Sequence, residues 1–185
     1  VFDTDEGPRD GLTMEKLAKL KPCFLRDKEA SVTAGNSSSL NDGAAAVVVM
    51  SAEKAKELGV TAKLKIEGYA IAGYDAELMG YSPKLSSEKL AKKLNLDLKD
   101  IDMFEINEAF ASQAVAVKRD LGLSDDKVNI YGGGISIGHP IGATGAVLTV
   151  KVLYELMRTE KKDAMISMCI GGGQGISMYF TKVTE

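Results

Sequence analysis

The chain has 185 residues, enough for one domain or one and a fraction, and enough to bury a core without disulfide staples. Apolar residues make up 45% and charged residues 26%, ordinary globular proportions that set aside fibrous and disordered classes. Lys+Arg number 23 against Asp+Glu 26, a net charge of −3, so nucleic acid is not an expected partner, and no apolar run is long enough for a membrane span.

In chain order, "VFDTDEGPRDG" (1–11) reads as a polar extended arm. "TMEKLAKLKP" (13–22) reads as a short helix with Thr13 as N-cap, Met14, Leu17 and Leu20 on one face, and Pro22 as a stop. "SVTAGNSSSLNDG" (31–43) is turn-prone, and "AAAVVVM" (44–50) reads as a buried strand. Ser51 then caps a helix that Gly59 ends. A strand is expected over 63–73, a loop "YDAELMGYSPKL" over 74–85, a helix over 86–94 and a strand over 102–106. A helix follows over 107–122 with Asn107 as N-cap, then a strand over 127–131, a Gly-rich loop and a helix over 142–158. Strands at 164–169 and 176–183 are joined by a tight Gly-rich turn, which predicts an antiparallel pair. Alternating β and α elements predict an α/β fold with a mixed sheet covered by helices.

Two cysteines, Cys23 and Cys169, lie far apart, and His139 is the single histidine, so no zinc pattern or other metal site is expected. No leader or lipidation pattern is legible, and the expected compartment is reducing and cytoplasmic. The chain opens on Val1, which suits a processed product or part of a longer chain.

Ten of the 19 glycines fall in two stretches, "GGGISIGHPIGATG" (132–145) and "GGGQG" (171–175). Glycine suits positive φ and the close approach of backbone to a ligand. A dinucleotide fingerprint needs a third glycine at residue 137 or 176, and both are Ile; no Gly-Lys-Ser/Thr of a phosphate loop occurs. Each loop carries one reactive side chain instead: His139 in the first and Cys169 at the mouth of the second. Asn107 sits at a third strand end. In α/β folds that edge is where ligands bind, so the three point to one site.

Four motifs, "GNSSSLNDGAAAVVVMS" (35–51), "NEAF" (107–110), "GGGISIGHPIGATGA" (132–146) and "CIGGGQG" (169–175), together resemble the thiolases, enzymes that make or cleave β-ketoacyl-CoA. The resemblance implies a thiolase-like β-α-β-α-β-β layered domain over 63–185, with residues 1–62 as the tail of a companion N-terminal domain. It implies His139 as the base for a nucleophilic thiol and Cys169 as an acid/base at the substrate α-carbon. Asn107 would hold a water in one oxyanion hole, and the Gly171 N–H would line the second. Ser38, Phe110 and Met79 would border the substrate channel. The nucleophilic cysteine of the family has no counterpart here, and Cys23 is expected to be structural.

The activity implied is condensation of acetyl-CoA to acetoacetyl-CoA, or the reverse thiolysis. Coenzyme A thioesters would be substrates and no cofactor would be bound. The implied partners are the missing half that carries the cysteine and further copies in a homo-oligomer. A ketosynthase-like subunit and a non-catalytic CoA-binding or dimerising module stand as alternatives. Ser39, "YSPKL", Val147 and Gln174 depart from the family pattern, and "YSPKL" falls in the loop expected near the acyl chain.

Overall fold

The computed structural model describes residues 1–5 and 7–184; the expected arm includes Glu6, and the expected C-terminal domain includes Glu185, both outside the described residues. Two short helices come first. In α1 (Met14–Ala18), Thr13 Oγ1 accepts from the Lys16 N–H at 3.3 Å; in α2 (Ala52–Glu57), Ser51 Oγ accepts from the Lys54 N–H at 3.1 Å. Both caps fall where the sequence puts them, because a short hydroxyl side chain can reach an otherwise unpaired first-turn N–H. Helix α1 stops four residues short of Pro22, which instead makes an isolated antiparallel bridge to Thr33.

The sheet comes from β1 (Leu64–Gly73), β2 (Phe104–Ile106), β3 (Asp163–Gly171) and β4 (Gln174–Lys182), in the order β1-β4-β3-β2. Strand β4 is antiparallel to both neighbours, while β2 and β3 run parallel, so the sheet is mixed as expected. The β3–β4 turn is Gly172-Gly173, with φ of 57° and 78°. Two positive values in a two-residue hairpin match the twist of the flanking strands, which is why glycine stands at both positions.

Helices cover both faces. On one side Leu90 of α3 (Ser82–Leu94) and Val117 of α4 (Ala111–Asp120) pack with Phe104, Ile106, Met165 and Tyr179. On the other, after the single turn α5 (Gly134–Ile137), helix α6 (Thr144–Arg158) lays Leu148, Val152 and Leu156 on Ala164, Ile166 and Phe180. The four-residue spacing on α6 and the alternation along β3 are the periodicities of a helix stripe and a pleated strand. Burying each large side chain stabilises the fold by roughly 1.5–3 kcal/mol.

Four expectations fail. Residues 44–50 form no strand, and Val48 is 85% exposed. A strand needs a neighbour for its N–H and C=O groups, and none of the described residues pairs with this run. Residues 127–131 make only one bridge, Phe104 to Val128, because Asn129 at φ 49° turns the chain away. Helix α3 begins at Ser82 rather than 86: "YSPKL" is its first turn, with Ser82 and Pro83 buried, and a first-turn proline forfeits no hydrogen bond. Asn107 is not a cap. Helix α4 starts at Ala111, where the Gln113 side chain accepts from the Phe110 N–H at 3.4 Å.

Strands β1, β2 and β3 all end at the same edge of the sheet. That follows from the register, since Gly73 and Gly171 both face Gln174 and Ile106 faces Ser167. The segments that leave this edge build the site.

Candidate active site

Asn107 is the first residue past β2. Its N–H donates to the Ser167 carbonyl at 2.9 Å, and it is 3% exposed. Alternation along β2 turns its side chain toward the α6 face, where its amide nitrogen lies 3.2 Å from His139 Nε2. His139 precedes α6 and is half-buried. Its Nδ1 is 2.6 Å from Thr144 Oγ1 in the first turn of that helix. The imidazole is therefore gripped at both nitrogens. Burial holds its pKa below the ordinary 6.5, so the neutral base is the resident form at pH 7.

Cys169 stands on β3, two residues past Ser167, beside a bulge at Ile170. Its thiol is free and half-buried, and burial pushes its pKa above the ordinary value, so it rests as a thiol. Among the described residues no hydrogen bond joins it to Asn107 or His139. The pair formed by Asn107 and His139 is in direct contact; Cys169 shares their sheet edge. Gly171, with φ 97°, is exposed, and a side chain there would meet nothing within 4 Å. Met79 lies on the 3-10 turn Ala76–Tyr81 that leaves the same edge from β1 and is 36% exposed.

The N-terminal segment straps across this region. The Ser38 N–H donates to the Ala109 carbonyl at 2.9 Å, and the Asn36 carbonyl accepts from the Ala111 N–H at 2.8 Å. Leu40 bridges to His139, whose N–H donates to Asn41 Oδ1 at 3.1 Å. Phe110 is half-buried and packs edge-on against Phe24, with ring centroids 5.9 Å apart. Ser38 and Phe110 are thus adjacent across the strap. A cleft of about 410 Å³ opens between residues 41–45 and the 140–146 turn. Cys23 is exposed, and its thiol is free.

Several contributors were not legible in the sequence. Glu108 accepts from Asn129 Nδ2 at 2.7 Å and from the Ile135 N–H at 3.3 Å, bracing the Gly-rich loop. A Cβ at Gly133 would lie 2.3 Å from the Glu108 carboxyl carbon, and one at Gly138, where φ is 96°, would lie 2.6 Å from the Asn41 amide. The glycines beside His139 therefore admit the protein's own polar groups, where glycine content alone suggests the close approach of a ligand. Thr144, Asn41 and Lys151 belong to the same framework. Lys151 Nζ bonds Glu105 Oε2 at 2.7 Å and also the Gly132 carbonyl, which ties the loop to β2. A motif such as "GATGA" would have pointed to Thr144 only through its spacing of five from His139.

Chemically, this edge offers a neutral imidazole, an amide, a thiol and backbone donors. Among the described residues no group of three or more His, Cys, Asp or Glu side chains could hold a metal ion, and no helix is long and apolar enough to cross a membrane.

A family model described as thiolase, C-terminal domain, matches residues 60–182, and one described as thiolase, N-terminal domain, matches residues 1–53. The chain is 51% identical over 181 residues to an acetyl-CoA acetyltransferase of Pseudomonas aeruginosa, covering 98% of this chain and 46% of that protein. It is 47% identical over 183 residues to a beta-ketothiolase of Cupriavidus necator, covering 99% and 46%. The crystal structure of the Bacillus anthracis acetyl-CoA acetyltransferase superposes with a TM-score of 0.91 at 47% identity, over 97% of this chain and 45% of that one. The chain spans about half the length of the curated relatives it matches.

Proposed function

The chain belongs to the thiolase family, and from that premise we propose that it is the C-terminal part of an acetyl-CoA C-acetyltransferase, with residues 1–62 the tail of the N-terminal domain and 63–185 the C-terminal domain. The single observation that carries this reading is the His139 imidazole, kept neutral by burial and held 3.2 Å from the Asn107 amide.

In this reading the nucleophilic thiol belongs to the companion half. His139 takes its proton, and the thiolate attacks acetyl-CoA. The departing CoA thiolate takes the proton of Cys169. Cys169, now a thiolate, removes a proton from the α-carbon of a second acetyl-CoA, and the carbanion attacks the acetyl-enzyme. The freed nucleophile regains its proton from His139. Two acetyl-CoA yield acetoacetyl-CoA and CoA, with both proton carriers restored, and thiolysis runs the same steps backward. Protonated His139 and a water on Asn107 would hold one thioester oxygen, and the Gly171 N–H the other; one such donor is worth about 3–4 kcal/mol at the transition state. Ser38, Phe110 and Met79 would line the approach of the thioester. The free state of both cysteines suits a cytoplasmic location.

The test is thiolysis of acetoacetyl-CoA. The chain alone is expected to show none; added companion half carrying the cysteine is expected to restore it, and His139→Ala to lower the restored rate at least about 100-fold. Robust turnover by the chain alone, or full activity without the imidazole, would overturn the reading.

A further inference from the structure

We propose that Thr144 is a positioning residue that fixes His139 as its Nδ1–H tautomer and so reserves Nε2 as the atom that accepts protons. This rests on the acyl-transfer reading, in which Nε2 is the base.

A threonine hydroxyl has one proton to give and lone pairs to receive. Thr144 Oγ1 lies 2.9 Å from the Pro140 carbonyl, four residues back, an acceptor threonines commonly take at helix starts. That carbonyl also takes the N–H groups of Ala143 and Thr144, a three-donor arrangement formed where α6 begins. With its proton directed to Pro140, Oγ1 presents a lone pair to His139 Nδ1 at 2.6 Å, and Nδ1 must donate. On the other side of the ring the Asn107 amide nitrogen, 3.2 Å from Nε2, suits that form, but through a longer and weaker contact than the 2.6 Å one to Thr144. Thr144 is 3% exposed, so water does not compete for either bond. The tautomer has a chemical consequence. Nε2 cannot donate to a thioester oxygen until it has taken a proton, so the thiol proton must move before that atom can support an oxyanion.

His139 is the only histidine in the chain, so its ring nitrogens can be read without assignment by ¹⁵N NMR of histidine-labelled protein. Above the titration, a pyrrole-type Nδ1 and a pyridine-type Nε2 are expected. Thr144→Val is expected to move the ring toward the Nε2–H form that free imidazole prefers, and Thr144→Ser to keep the native pattern; if the valine variant does not fold, Thr144→Ala asks the same question. A native Nε2–H ring, or a tautomer unmoved by loss of the hydroxyl, would overturn the proposal. With the companion half present, Thr144→Val should lower kcat about 10–100-fold with KM little changed, and Thr144→Ser should rescue it. An Nδ1–H ring in a completed protein without acyl transfer would remove the functional reading and leave this one intact; acyl transfer with an Nε2–H ring would do the reverse.

Discussion

Glu105 and His139 pull stability in opposite directions with pH. Glu105 is fully buried, its Oε1 has no partner among the described residues, and burial, against the opposing pull of Lys151, pushes its pKa up to about 7 from 4.5. The folded protein therefore binds this proton more tightly than the unfolded chain, and stability falls as pH rises from 4.5 through about 7, by about 3 kcal/mol from this group. Glu105→Gln should flatten that fall in thermal unfolding followed across the window; equal slopes in both proteins would contradict it. His139 is shifted down, so its share is present above 6.5 and lost as pH drops below. Activity of the completed enzyme should show an acid limb below the ordinary imidazole range, set by His139, and a basic limb above the ordinary thiol range, set by Cys169. A kcat/KM profile with limbs at the ordinary values would argue against both. At this scale the candidate residues stood out in the sequence because a lone imidazole and a lone thiol beside glycine are unusual. Thr144, Glu108 and Lys151 did not, because a threonine, an acid or a lysine on a helix or loop is ordinary until its partner is known.

The elements teach a similar lesson. The glycine hairpin was legible because backbone twist demands it locally. At Gly173 the demand is also tertiary: a Cβ would sit 2.3 Å from the Tyr74 carbonyl, which is backbone and cannot swing aside. Gly173→Ala should cost about 2–4 kcal/mol in denaturant unfolding, combining a clash with positive φ. Gly171→Ala, with open space around it, should cost less, so equal losses would refute the contrast. Residues 127–131 have a neighbour in Phe104 and lose the strand to the positive φ at Asn129; residues 44–50 have none among the described residues. β-branched composition reports suitability for a strand, whereas a strand exists only where a neighbour pairs with it. The start of α3 was misread because proline ends helices and also begins them, and only the buried Ser82 and Pro83 reveal which.

Across the whole molecule, apolar side chains remain in the open. Leu40, Val48, Val49 and Ile141 are each more than two-thirds exposed. Large apolar side chains left in water favour association that covers them. The isolated chain should sediment as associated species, and the companion half should convert these to a defined complex; a monodisperse monomer indifferent to that half would count against this. The layered α/β design was legible from element order alone, whereas this uncovered surface was not, since an apolar run reads as core until nothing is found to cover it. The strap over residues 36–41 carries a different lesson, about inheritance. Two of its ties to 109–111 run from backbone to backbone, and side-chain identity does not enter them. Those two ties depend on the spacing of the backbone and not on the side chains that it carries. Asn41 is the exception, because its side chain takes both the His139 N–H and the Ser39 hydroxyl; one residue inserted between Ser38 and Asn41 should displace the Leu40 and Asn41 contacts to His139, so lineages of this chain should carry no insertions there.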